Sequence, residues 1–178
     1  MRNPAVARNY AEALFELGEK TGDTVAYAGW LGALAGAVLA STRAEAVLMS
    51  PRVTKAAKVR LLEASLGGAP AEFVRFVAAV VKRGRQGMLG EIATAYEALV
   101  DAKLNRVRAH VVLAREADQA TRKLVTRGLE KALGKEVLPT FSADPEVLGG
   151  AVVRVGGRVY DGSVRRRLIA LRRQLLAR

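Results

Sequence analysis

Few side chains in this chain are of the kinds that carry chemistry, and their spacing argues against catalysis. Gly149-Gly150 and Gly156-Gly157 invite a phosphate-loop reading. They lack the Walker spacing with its lysine followed by Ser or Thr, and the GxGxxG order between a strand and a crossover helix. Ser163 has no GxSxG surround, and His110 is the single histidine available to a triad. Asp144 and Asp161 are two carboxylates with nothing in the sequence to put them in one pocket. The chain has no cysteine, so thiolate metal sites and disulfides are excluded, and one histidine cannot build a multi-histidine site. The residues read as turn and cap chemistry, and the expectation is a protein with no catalytic residue, no metal and no cofactor.

The elements that position these residues explain their types. Ala151–Val155 and Arg158–Asp161 are β-rich runs joined only by Gly156-Gly157, a link suited to a tight hairpin whose central residues need positive φ. Asp161-Gly162-Ser163 punctuates the chain again, with Ser163 or Asp161 set to accept from the free N–H groups of a new helix. That helix carries Val164, Leu168, Leu171 and Leu175 at helical spacing, with Arg165, Arg166, Arg172 and Arg173 largely off the stripe.

Upstream, the periodicity is helical throughout. Asn3-Pro4 reads as an N-cap and first-turn proline of a helix to about Glu19. Its apolar arc is wide: Val6, Tyr10, Ala13 and Leu17 form one stripe, with Ala7, Ala11 and Leu14 beside it. Such an arc suits either a helix wedged between two neighbours or one that keeps part of its surface for a partner helix. The run Thr24–Thr42 is uncharged, with Gly32 and Gly36 in GxxxG spacing. A membrane span needs about 20 predominantly apolar residues; this run is mostly Ala, Gly and polar residues, so a tightly packed helix is expected instead, with no direct membrane insertion. A short apolar turn, Ala44 to Met49, stops at Ser50-Pro51. Thr54 opens a helix with Val59, Leu62 and Leu66 inward and Lys55, Lys58 and Arg60 solvated. Pro70 opens another, with Phe73, Val77 and Val80 on one stripe, closed by Lys82-Arg83-Gly84-Arg85. Met88 to about Asn105 carries Leu89, Ile92, Tyr96 and Leu99.

The period then changes. Val107, Ala109, Val111 and Leu113 alternate with Arg108 and His110 as in a strand, which makes His110 a solvent-facing or edge-strand residue. A helix from Ala117 to Leu133 with Leu124, Leu129 and Leu133, and a strand from Val137 to Phe141, complete a β-α-β-β-β-α order. The fold class expected is α+β overall, an N-terminal six-helix bundle over 1–105 followed by a small α+β C-terminal domain over 106–178. Charge divides at the same place. Of a formal net charge of +12, residues 1–105 hold 13 Lys/Arg against 10 Asp/Glu, and residues 106–178 hold 16 against 7. The basic half calls for an acidic or anionic partner. Arg165-Arg166-Arg167 and Arg172-Arg173 suit phosphates, so a basic nucleic-acid-binding adaptor is one reading. Aromatic content of 5% and the leucine stripe favour a protein adaptor with no nucleic-acid partner.

Ordered landmarks add a resemblance. Ala7-Arg8-Asn9-Tyr10-Ala11-Glu12-Ala13-Leu14-Phe15, Ser50-Pro51 followed by Lys58, and Lys82-Arg83-Gly84-Arg85 ahead of Leu89 and Ile92 come first. Asp144-Pro145, Leu148-Gly149-Gly150, Arg154-Val155-Gly156, Asp161-Gly162-Ser163-Val164 and Arg165–Leu168 follow. Together they resemble the delta-subunit family of the F-type ATP synthase, the oligomycin-sensitivity-conferring protein of mitochondria, over nearly the whole chain. One departure is Gly156-Gly157, where family members often carry a single glycine with a polar neighbour. The resemblance implies a non-catalytic stator (peripheral stalk) subunit that links the catalytic head to membrane-anchored b subunits, so that rotor torque drives ATP synthesis. It implies that the helical part holds the N-terminal helix of an alpha subunit, with Tyr10, Ala13, Ala79 and Val80 as contact candidates, and that the basic part docks the C-terminal region of the b subunits. Gly149, Gly150, Asp161, Gly162 and Ser163 become the motif that sets the geometry of that part. The expected place is the cytoplasmic face of a bacterial plasma membrane, peripheral, as no transit-like leader is present.

Overall fold

The computed structural model describes residues 4–176, so the capping role expected of Asn3 lies outside the described residues. The chain divides into two compact units between Asp101 and Ala102. It is α+β, with a four-stranded sheet in the second unit.

The first unit is helical: α1 (Pro4–Thr21), α2 (Thr24–Ala40), α3 (Thr42–Met49), α4 (Lys55–Ser65), α5 (Ala71–Lys82) and α6 (Leu89–Lys103), the last preceded by a 3-10 turn, Gln86–Met88. Caps mark the boundaries. Ser41 Oγ accepts from Ala44 N and Thr54 Oγ1 from Ala57 N, each at 3.2 Å. Gly84, at φ 71°, turns the chain after α5. The core is built from large side chains with no exposed surface, among them Leu14, Tyr27, Leu31, Phe73, Ile92 and Tyr96. Tyr27 and Phe73 meet ring to ring at 5.7 Å. Tyr96 Oη donates to Thr24 O at 2.9 Å, which satisfies a hydroxyl that burial would otherwise penalise. Burial pushes the Tyr96 phenol well above its ordinary range, helped by Tyr27 and Glu19 nearby. Gly18 makes room for this arrangement, because a Cβ there would meet Thr24 Cα at 3.0 Å and Tyr96 Oη at 3.1 Å.

Two features of this unit differ from the sequence expectation. In α1 the fully inward row is Ala7, Ala11, Leu14 and Gly18, while Val6, Tyr10 and Leu17 are half-buried and Ala13 is exposed. Lys58 is not solvated but 5% exposed. It lies one turn before Leu62 and two before Leu66, so helical periodicity carries it onto the inward row.

No single helix among the described residues is long and apolar enough to cross a membrane; α2 and α3 would qualify only as a pair bent by 98°.

The second unit contains β1 (Arg106–Leu113), α7 (Gln119–Leu133), β2 (Glu136–Ala143), β3 (Ala151–Val155), β4 (Arg158–Asp161) and α8 (Val164–Leu176). The strand order is β2-β1-β3-β4. β1 and β2 run parallel through the α7 crossover, and the other pairings are antiparallel. Asp118 Oδ1 caps α7 through Thr121 N at 2.8 Å, and these hydrogen bonds from Thr121 hold the Asp118 carboxyl below its usual range. Gly134 ends the helix at φ 64°. One face of the sheet forms a small core of Ala109, Val111, Val137 and Val153, covered by Val125, Leu129 and Leu133. Leu124, grouped with those leucines by the sequence, is instead 74% exposed. The covering row runs 125-129-133 at i,i+4 spacing, and position 124 falls about 100° away from Val125 around the helix.

His110 faces solvent, on an interior strand and not an edge, with Nε2 3.2 Å from Ser142 Oγ. Glu136 N donates to Asn105 O and Asp144 N to Leu113 O, so even-numbered positions of β2 face β1. Pro139 therefore falls where its missing N–H would have pointed off the sheet edge. The hairpin Val155–Arg158 has the expected two-residue link, but only Gly156 takes positive φ, 55°. Glycine at the first central position with positive φ there is the requirement of a II′ turn, which asks it of one residue and not two.

Candidate docking surfaces

On the first unit, α1 and α5 pack so that Tyr10 and Phe76 meet edge to face, with centroids 6.4 Å apart at 71°. Both rings are half-buried, and Ala13 and Ala79 are exposed on the same two helices. A small residue beside a half-covered ring offers apolar area without a side chain that must be moved aside. Val80 stands apart from the other candidates: it is 0% exposed and belongs to the core. On this helix Phe76 and Ala79, and not Val80, reach the surface. Phe76 escaped notice in the sequence because it sits one position off the buried row Phe73-Val77-Val80. That offset was itself the available signal, since an aromatic beside a complete apolar stripe widens the apolar face beyond what the core uses.

On the second unit the glycine motif works as a backbone clasp. Gly150 adopts φ 81°, and a Cβ there would come within 2.5 Å of Gly162 O. Gly162 N donates to Ala151 O and Val164 N to Gly149 O, both at 2.9 Å, tying the start of β3 to the start of α8. A Cβ on Gly149 would meet Val164 Cγ2 at 3.2 Å, and one on Gly162 would meet Ala151 O at 3.2 Å. The three glycines thus let two backbone segments touch. Within the clasp the two capping candidates divide the work. Ser163 Oγ accepts from Arg166 N at 3.3 Å, which makes Ser163 the cap of α8. Asp161 Oδ1 accepts from Ser163 N at 2.9 Å, closing the turn before it. Hydrogen bonding from Ser163, with Arg166 close by, holds the Asp161 carboxyl below its ordinary range. Asp144 is engaged in its own turn, through Glu146 N to Oδ1 at 2.9 Å. Each aspartate has a local backbone job, and no group of acidic or histidine residues among those described could hold a metal ion.

The clasp leads into a helix whose described apolar side chains are largely exposed. In α8, Val164, Leu168 and Ile169 are exposed, Leu168 by 54%, and Leu175 by 75%. Arg165, Arg166, Arg167, Arg172 and Arg173 are exposed as well, and the helix holds no carboxylate. The described apolar residues and arginines of α8 thus form an exposed surface that is both apolar and cationic.

The family model for the ATP synthase delta (OSCP) subunit matches residues 6–175. ATP synthase subunit delta of Gemmatimonas aurantiaca is 42% identical over 98% of this chain and 95% of its own length. The corresponding subunit of Desulforamulus reducens is 32% identical over 100% and 99%. Among solved structures, a chain of the Toxoplasma gondii mitochondrial ATP synthase hexamer superposes with a TM-score of 0.74, covering 97% of this chain and 98% of its own at 22% identity, a likeness of fold. The chain therefore belongs to the ATP synthase delta (OSCP) subunit family, non-catalytic peripheral-stalk components of the F-type ATP synthase.

Proposed function

We propose that the two units engage different parts of the synthase. The first unit acts as a six-helix bundle, and its α1–α5 surface receives the amphipathic N-terminal helix of an alpha subunit. Tyr10, Ala13 and Ala79 contribute directly, Phe76 joins them, and Val80 supports the surface from within. The second unit, through the clasp and α8, docks the C-terminal region of the b subunits. The subunit then sits peripherally at the cytoplasmic face of a bacterial plasma membrane.

The observation that carries this reading is the exposed apolar surface of α8, matched on α1 by an apolar arc wider than the core consumes. A stator link transmits torque without chemistry, so it needs slow dissociation. Buried helix-in-groove contacts supply that, whereas rim charges act mainly on the rate of encounter.

The test is titration of the full chain with a peptide of the alpha-subunit N-terminal helix. Tyr10→Ala should weaken binding by about tenfold, corresponding to about 1.4 kcal/mol, while Leu168→Ser leaves it unchanged and instead weakens capture of the b C-terminal segment. Equal loss of both partners in either variant would contradict the division of labour.

A further inference from the structure

A second basic surface lies away from the clasp and α8. A cleft of about 470 Å³ opens between the flank of α7 and the edge strand β2. Arg122, Lys123 and Arg127 line it with Gln119 and Thr126, above Phe141, and no carboxylate is among the lining residues. The volume falls within the range of small-ligand sites.

The arginine at its centre is held in place. Arg122 Nε donates to Ala117 O at 3.1 Å, and its Cζ lies 5.4 Å from the centroid of the Phe141 ring. Ordering a long cationic side chain is normally part of the cost of binding, and here the fold meets that cost beforehand. Lys123 and Arg127 stand one turn apart on the same helix, a like-charge pair that weakens a helix on its own. In α7, one carboxylate, Glu130, faces the charges of Arg122, Lys123, Arg127 and Lys131. The cations are therefore concentrated beyond what the helix can use internally.

We propose that this cleft binds a small phosphate-bearing molecule of charge −2 or more. A planar guanidinium fork, an ammonium, a hydroxyl and an amide are the donor set that phosphate oxygens accept from, and three cations exceed what a single carboxylate would neutralise. An extended peptide is a poorer occupant. It would have to add to the outer edge of β2, where Pro139 has no N–H to offer.

The experiment uses the full chain at fixed ionic strength, with amide shifts followed by NMR during titration with pyrophosphate, ADP and adenosine. Saturable shifts of the Gln119–Arg127 amides with pyrophosphate and ADP, and none with adenosine, are expected. Tighter binding of ADP identifies a nucleotide as the ligand, and equal affinities identify a bare polyphosphate; either supports the site. Arg122→Gln should weaken binding by about tenfold, the loss of one charge-assisted hydrogen bond. Arg122→Lys should also weaken it, because the charge stays but the fork and ring contact go. Arg172→Gln with Arg173→Gln, on the separate basic surface of α8, should change nothing. Absence of saturable shifts, an Arg122→Lys protein that binds like the parent, or equal loss in the α8 variant would overturn the proposal, the last by showing only diffuse charge attraction. All of these side chains are exposed, and an unchanged thermal transition in each variant shows that folding is intact.

Discussion

The two units of this chain handle apolar surface in opposite ways. In the first, Leu14, Tyr27, Phe73, Ile92 and Tyr96 from four helices are fully enclosed, and a buried hydroxyl finds its acceptor. In the second, the buried cluster is Ala109, Val111, Val137 and Val153; α7 has no fully buried residue, and Leu168, Leu175 and Leu176 of α8 are exposed. Burial of apolar area is the main favourable term in folding. The first unit encloses Tyr27, Phe73 and Tyr96, and the second leaves Leu168, Ile169 and Leu175 of α8 exposed. Under the proposed division of labour, a partner that covered α8 would stabilise that helix by mass action.

Substitutions can sharpen or break that contrast. The largest effect is expected for Phe73→Ala, which opens a cavity in the well-packed unit and should cost about 3–5 kcal/mol. Denaturant unfolding followed through Trp30, within the first unit, measures it, and a loss below about 1 kcal/mol would mean that this core is looser than its burial implies. Gly150→Ala comes next. The new Cβ meets a backbone oxygen at 2.5 Å with φ already at 81°, so a loss of about 2 kcal/mol or more is expected, confined to the second unit. Hydrogen exchange resolves the confinement: protection should fall in β3, β4 and the start of α8 while α1–α5 keep theirs. Ser163→Ala removes the α8 cap and should cost about 1 kcal/mol of local helix stability, visible as faster exchange of the Arg166 amide.

The smallest effect is the pH response of Asp161. Its carboxyl is held below the ordinary value of 3.8 by hydrogen bonds made in the folded state. The stabilisation is present above the unfolded value and is lost as pH falls through the lowered folded one. The Ser163 amide should shift in that acid window, and Asp161→Asn should abolish the shift. A titration of that amide unaffected by the Asn substitution would assign the response to another group.

Much of the helical unit was legible because a stripe at 3.6-residue spacing names the inward face directly. Phe73, Val77 and Val80 and then Ile92 and Tyr96 follow that rule. Where the reading went astray, periodicity was obeyed but the neighbours were unknown. Lys58 shares the inward row of α4 and is buried with it, whereas a lysine on composition belongs in water. Leu124 is apolar but off the covering row of α7. Val80, offered as a contact residue, is sealed in the core, while Phe76 next to that row reaches the surface. At the candidate sites, the turn and cap residues could be recognised, but their division of labour could not. Asp161 and Ser163 are interchangeable as cap formers in a string of letters, and only the backbone path makes one the cap and the other the preceding turn.

By itself the sequence determined the order of elements, the change from helical to strand period near Asn105, the lack of a thiolate or multi-histidine site, and an α8 with one apolar face and no acid. These follow from local backbone preference and side-chain chemistry, which act within a few residues. Only the tertiary structure decided that Gly150 must lack a Cβ and that Gly162 is tight for one, because their close approach joins the start of β3 to the turn before α8. It also decided that Val164, Leu168 and Leu175 of the α8 stripe stand exposed. Periodicity says which residues share a face, but packing alone says whether the fold has anything to put against it.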